Sequence, residues 1–487
     1  TDYQSFIHKS RYAKYHDGLG RESWNDTVTR FSDNIIKDLV DPDTKSKLEQ
    51  AIIGLEVMPS MRGLMTAGAA AERDNTCMYN CSYLPVDDLK AFDEAMFILL
   101  CGTGVGFSVE RQFVSKLPEV PQLFQSETNI VVKDSKEGWA KSLRQVIALL
   151  YSGEIPTWDV TRVRPAGAPL KTFGGRASGP APLVDLFNFT IQTFKEAQGR
   201  KLSSIECHDV MCKIGEVVVV GGVRRSAMIS LSNLSDDRMR HAKSGSWWEN
   251  NPQRALANNS VSYTEKPDSL SFMREWMSLV ESGSGERGVF NRQASKVQAA
   301  KNGRRDADYD FGTNPCSEII LRPNQFCNLT EVVVRATDDL QSLSEKVRLA
   351  TILGTVQSSF TKFPYLRKIW QKNTEEERLL GVSLTGIMDN PLMTLKNKGL
   401  EETLEHLKSI AVATNAEWAK RLGIPVSTAI SCVKPSGTVS QLVDSASGIH
   451  ARHSPYYIRT VRGDNKDPLT QFMKDQGVPN APEAFKP

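Results

Sequence analysis

Thr313-Asn-Pro-Cys-Ser-Glu-Ile319, with Phe326-Cys-Asn-Leu-Thr-Glu331 close behind it, is the stretch on which the reading of this chain turns. Pro315 and Ser317 flank a cysteine in what reads as a tight loop. Asn314, Cys316 and Glu318 alternate, so they share a side and can bring an amide, a thiol and a carboxylate to one pocket. In isolation such a trio is ordinary loop chemistry. Its weight comes from the rest of the chain.

Upstream, Trp24, Val28, Phe31, Ile35 and Leu39 recur at steps of three and four, which predicts one apolar helix face over 24–40 and a helical N-terminal region, residues 1–80. From about Cys81 the texture changes. Short apolar runs, Glu216–Val220, Ala227–Leu231 and Glu331–Val334, alternate with longer helical patterns, which is the signature of α/β architecture. Downstream, Leu400, Leu404, Leu407, Ile410, Trp418 and Leu422 predict a helix stopped by Gly423-Ile-Pro425, with a strand expected over 427–433. Loops rich in Gly and Pro fall at 164–180 and 434–438, and 477–487 reads as a connector left by truncation.

The chain of 487 residues carries 60 Lys+Arg against 57 Asp+Glu. That balance excludes the global positive field of a dedicated nucleic-acid binder, so phosphate recognition has to be local. No apolar stretch has membrane-spanning length and no signal peptide opens the sequence, so a soluble cytosolic protein is expected. Eight cysteines are too sparse for a disulfide scaffold and are expected to be buried small residues or chemical ones. Cys207 and Cys212, in Cys-His-Asp-Val-Met-Cys, have the wrong spacing for zinc and read as helical core. His450 and His453 read as polar loop residues, and no metal site is expected. Gly102-Thr-Gly-Val-Gly106 lacks the further spaced glycine of a dinucleotide loop.

Asn-Pro-Cys-Ser-Glu with its following Cys-Asn-Leu closely resembles the finger loop and next strand of ribonucleotide reductases. Other segments resemble the same family in the same order. They are Met58–Arg62, Asn80–Ser82, Gly102–Val109, Arg164–Pro169 with Phe173–Pro180, Gly221–Ser226, and Lys434–Val439 with Ser447–His450. Their wording is most similar to the adenosylcobalamin-dependent ribonucleoside-triphosphate reductases. The resemblance implies a ten-stranded α/β barrel threaded by the Cys316 loop, with a first half over 81–345 and a second, incomplete half over 346–487. The family's final strands and C-terminal cysteine pair are not in this sequence, and no ATP-cone domain precedes it. The stretch from Arg111 to Arg164 reads as a shortened version of the family's effector-binding insertion, which points to a homodimer.

By the same resemblance, Cys316 carries the thiyl radical and takes the 3′-hydrogen of the ribose, Glu318 is the base on the 3′-hydroxyl, and Asn314 holds the substrate hydroxyls. Cys81 and Cys327 are the reducing pair, which requires the fold to bring their Cα atoms within about 7 Å of each other. Pro435, Ser436, Gly437, Thr438 and Val439 bind the substrate phosphates, helped by Ser82. Asp87, Asp88, Arg224 and Arg225 belong to effector control. The implied cofactor is adenosylcobalamin, and the implied partners are a nucleotide substrate, a nucleoside triphosphate effector and a thioredoxin-like dithiol. Two alternatives stay open on the sequence: a catalytic subunit activated by a separate metal-bearing radical subunit, and a non-catalytic nucleotide-binding module.

Overall fold

A computed structural model describes residues 1–16, 18–170, 176–220, 227–458, 460–463, 465 and 468–482. Its central sheet has six strands: β2 (Cys81–Pro85), β3 (Gly104–Ser108), β4 (Met228–Asn233), β5 (Asn258–Tyr263), β6 (Gly288–Asn291) and the short β7 (Gln325–Phe326). The spatial order is β6-β5-β4-β3-β2-β7, parallel except for β7. Every residue of β3 is buried, and so are Ser82 to Pro85 of β2, as expected for parallel strands covered on both faces.

A second sheet holds β8 (Leu329–Val333) between β9 (Gly381–Thr385), which is parallel to it, and the antiparallel β1 (Val57–Met58). The two sheets are joined by one run of chain. Gln325 and Phe326 pair with Tyr83 and Ser82 of the first sheet, and Leu329 to Val333 then pair with Gly381 to Thr385 of the second. Cys327 sits at this crossing. Among the described residues no sheet closes into the ten-stranded barrel expected: these two sheets are open and joined by chain alone, and three two-stranded sheets accompany them.

Around the first sheet, helices Lys90–Leu100, Lys136–Tyr151, Ala181–Glu196 and Ser204–Val220 pack on one another. The valine run 216–220, grouped with the strand-like stretches, is the last turn of the fourth of these helices. Its β-branched residues tolerate the helix because Val217 and Val218 are packed in the core, and a short apolar run cannot distinguish a buried helix from a buried strand. The N-terminal helix also ends earlier than expected: Trp24–Phe31 gives way to a wider π turn, Ser32–Ile36, and Leu39 is exposed. Helix Leu400–Leu422 runs as expected and closes on Gly423 in the left-handed region, whereas 427–433 contributes only a bridge from Ser431 to Val382.

Candidate active site

The stretch around Cys316 folds as a hairpin. Gly312 and Thr313 pair with Leu321 and Ile320, and the Ser317 amide donates to the Asn314 carbonyl at 2.9 Å, closing a turn with Pro315 in its second position. Asn314 is buried and does two jobs. Its Oδ1 accepts from the Ile319 amide at 3.0 Å, and its Nδ2 donates to Glu318 Oε2 at 2.6 Å. Thr313 Oγ1 donates to the Ile319 carbonyl at 3.1 Å. The amide thereby sets where the carboxylate points, and Cys316 stays exposed at the tip.

Both ends of the hairpin hang from buried arginines. Arg292 donates from Nε to the Phe311 carbonyl at 2.7 Å while its other nitrogens grip Glu110 at 2.8 and 2.6 Å. Arg305 donates to the Ile320 carbonyl at 2.9 Å and is paired with Glu377 at 2.9 and 2.8 Å. Burial by itself would raise the Glu110 pKa, but the Arg292 guanidinium holds it below the usual carboxylate range. Neither arginine was singled out from the sequence, since nothing local distinguishes a loop-holding arginine from a surface one.

The hairpin can lie against β3 because β3 carries glycines there. A Cβ on Gly106 would stand 1.9 Å from the Thr313 carbonyl oxygen. One on Gly104 would stand 3.2 Å from Pro315 Cγ and 3.3 Å from Cys81 Sγ. Gly106 thus serves the close approach of the hairpin backbone, and Gly104 leaves room for Pro315 and Cys81.

Cys81 and Cys327 lie directly across from each other at the end of the β2–β7 ladder, and the Cys327 amide donates to the Cys81 carbonyl at 2.9 Å. Directly opposed antiparallel residues have Cα atoms about 5 Å apart, inside the range a disulfide spans. All eight cysteines are free thiols. Burial, then the neighbouring Cys81 thiol, pushes the Cys327 thiol well up. Cys316 is pushed up to about 12, first by the packed walls around its sulfur, then by Glu318 and Cys81, with Lys434 opposing. Cys327 is buried in a small apolar cluster with Tyr83, Ile319 and Leu329, Cys81 packs against that cluster, and the Cys316 turn meets Cys81 across Gly104.

Of the phosphate-turn residues, Ser436 is buried with φ +52°, Gly437 is exposed, and Thr438 begins the short helix Thr438–Leu442, whose Val439 is packed in the core. Ser82 is fully buried and gives its hydroxyl to the Gly104 carbonyl at 3.0 Å. Asp87 and Asp88 lie past the opposite end of β2, 4.0 Å from Lys116 and 3.4 Å from Arg367 respectively, so they are not part of the thiol cluster. Arg224 and Arg225 lie outside the described residues, as do 171–175 within the Gly/Pro-rich loop.

Two groups missed by sequence reasoning stand beside the thiols. Cys432 packs at the edge of the same apolar cluster. Glu331, buried in β8, is ion-paired with Lys434. A signal for the second was present: an acidic residue opening the apolar run 331–334 has to find a buried cation. Cys207 and Cys212 are buried helical core as expected, with His208 between them donating to or accepting from Ser230 at 2.9 Å. Among the described residues there is no cluster fit to hold a metal and no helix long and apolar enough to cross a membrane.

Comparison with known proteins finds relatives over nearly the whole chain. The family model described as the B12-dependent ribonucleotide reductase insertion domain matches residues 119–193. The adenosylcobalamin-dependent ribonucleoside-triphosphate reductase of Lactobacillus gasseri is 27% identical, covering 99% of this chain and 77% of its own. That of Levilactobacillus brevis is 26% identical, covering 98% and 76%. A crystal structure of a B12-dependent (class II) ribonucleotide reductase superposes with a TM-score of 0.79 over 92% of this chain and 74% of that one at 23% identity, a shared fold. The class Id alpha subunit from Actinobacillus ureae gives 0.57 over 98% of this chain and 79% of that one at 12% identity.

The segment matched at 119–193 includes helices Lys136–Tyr151 and most of Ala181–Glu196, which cover helices Lys90–Leu100 and Ser204–Val220. On fold, ordered motifs and near-full-length similarity together, the chain is similar to the ribonucleotide reductases, and in particular to the adenosylcobalamin-dependent ribonucleoside-triphosphate reductases.

Proposed function

We propose that this chain reduces ribonucleoside triphosphates to 2′-deoxyribonucleotides with adenosylcobalamin as radical source. The observation that carries the reading is the meeting of Cys81, Cys316 and Cys327 beside the Asn314–Glu318 pair. The site suits such a cofactor in one testable respect: Cys316 and Ser317 open outward while their neighbours in the hairpin are packed, so the thiol can be reached from outside. When bound, adenosylcobalamin supplies a radical through cleavage of its cobalt–carbon bond.

The chain's own groups do the rest. Cys316, as a thiyl, takes the 3′-hydrogen and later returns it. Glu318, held by Asn314, receives the 3′-hydroxyl proton, a role that needs reach first. The 2′-oxygen leaves as water, and Cys81 and Cys327 together give two electrons and two hydrogens as they close into a disulfide. A thioredoxin-like dithiol reopens that disulfide by exchange. Residues 435–439, with Ser82, take the substrate phosphates, and Asp87, Asp88, Arg224 and Arg225 take part in effector control. The two sheets are proposed as facing halves of a ten-stranded barrel, divided 81–345 and 346–487 behind a helical region 1–80, in an enzyme of the cytoplasm.

The test is turnover of a ribonucleoside triphosphate by the purified chain with adenosylcobalamin and a small dithiol, product read by chromatography. Deoxynucleotide formed without any second protein is expected. No product with cofactor, effector and dithiol all supplied overturns the proposal.

A further inference from the structure

The carboxylate of Glu331 is only 2% exposed, yet it stands beneath the turn assigned to substrate phosphates, where a negative charge would repel them. Its contacts say what it is for. Oε1 takes the ammonium of Lys434, the first residue of the turn. Oε2 accepts the Ser436 hydroxyl at 2.6 Å and, from β9, the Thr385 hydroxyl at 2.6 Å. One carboxylate on a sheet strand thus grips two positions of the turn, two residues apart. Between them the backbone reaches φ +52° at Ser436, a conformation a serine adopts only when its surroundings impose it.

The other side of the turn is clamped as well. The Ser447 hydroxyl donates to the Pro435 carbonyl, the Gly448 amide donates to the same oxygen at 3.3 Å, and a Cβ on Gly448 would stand 1.9 Å from the Lys434 carbonyl. With Ser436 turned inward, its hydroxyl is committed to Glu331, and the exposed residue of the turn is Gly437. Burial alone would raise the Glu331 pKa, but the Lys434 ammonium holds it low, so the grip is ionic at neutral pH.

We infer that Glu331 is a positioning residue for the reduction, holding the 434–439 turn in the shape that receives the substrate's phosphates and tying it to the strand that carries Cys327. This rests on the substrate reading above and deepens it. Because β8 continues directly from Cys327, one rigid segment then sets both the distance to the reducing thiols and the seat of the phosphates. Neither Glu331 nor Lys434 touches the ribose in this scheme, and their effect goes through the turn.

The experiment compares equilibrium binding of a ribonucleoside triphosphate with that of its phosphate-free nucleoside, using the full chain. Glu331→Gln alone leaves Lys434 an unbalanced buried cation and can unfold the protein, so the decisive variant is the double Glu331→Gln/Lys434→Met, which removes both charges together. Thr385→Val, a near-isosteric loss of one hydroxyl on Glu331 from outside the turn, is the second. The double variant is expected to weaken triphosphate binding about tenfold or more, and Thr385→Val by about threefold, with nucleoside binding unchanged in both. Unchanged triphosphate binding in both variants overturns the inference, and so does an equal loss for triphosphate and nucleoside, which is general damage. A wild-type chain that binds the nucleoside but not the triphosphate more tightly refutes the phosphate seat itself, and is told apart because it needs no variant.

Discussion

Adding a single methyl group at Gly106 tests whether the Cys316 hairpin has to lie where it does. The new Cβ would stand 1.9 Å from the Thr313 carbonyl oxygen, and Cβ contacts under 3.0 Å essentially do not occur, so something has to move by more than an ångström. β3 cannot be what moves, because it is hydrogen-bonded between β2 and β4 along its length. The hairpin is what gives, carrying Asn314, Cys316 and Glu318 away from Cys81. Misplacement of reacting groups by about 1 Å costs on the order of a hundredfold in rate. Gly106→Ala should therefore lower kcat about a hundredfold while circular dichroism and cooperative unfolding are retained. Gly104→Ala, whose Cβ meets Pro315 and Cys81 at 3.2 and 3.3 Å, should cost far less, because those contacts relax by tenths of an ångström. The assay is deoxynucleotide formation under saturating substrate and cofactor. Wild-type turnover in Gly106→Ala, or a larger loss in Gly104→Ala than in Gly106→Ala, refutes the reasoning.

Without external dithiol, one round of turnover should leave Cys81 and Cys327 joined, seen by peptide mass mapping after alkylation; two free thiols after product has formed would contradict their role. Cys316→Ser should abolish product while nucleotide binding, measured by equilibrium dialysis, persists. Arg292→Leu strands the Glu110 carboxylate and removes the donor to the Phe311 carbonyl, so a loss of about 3–5 kcal/mol in urea unfolding is expected. Glu22 gives a pH test away from the active site. Burial would raise its pKa, but the Arg30 guanidinium and the Lys14 amide hold it at about 2 against an ordinary 4.5. A folded-state value below the unfolded one means its stabilisation is complete above 4.5 and drains away as pH falls toward 2. The stability gap between wild type and Glu22→Gln should therefore close over that window, and a gap that is constant with pH would contradict it.

The helix at 400–422, the buried character of Cys207 and Cys212, and the convergence of Asn314 with Glu318 were legible in the sequence because each depends on neighbours within a turn or two. The valine run 216–220 was not, since propensity yields where Val217 and Val218 pack a helix into the core. The order of strands in each sheet was not legible either, because which strand edges meet is decided between segments far apart in the chain.

By itself, the order of short motifs was enough to point to the resemblance and to single out Cys81, Cys316 and Cys327 as candidates, since residue type and local spacing carry that much. Tertiary structure alone decided that Cys81 and Cys327 face each other, that Arg292 and Arg305 suspend the hairpin, and that Glu331 grips Lys434 and Ser436. The reason is physical. Buried charges and closely approaching backbones are satisfied by whatever the fold brings alongside, over separations as long as that from Glu331 to Lys434, and no local pattern encodes that partner.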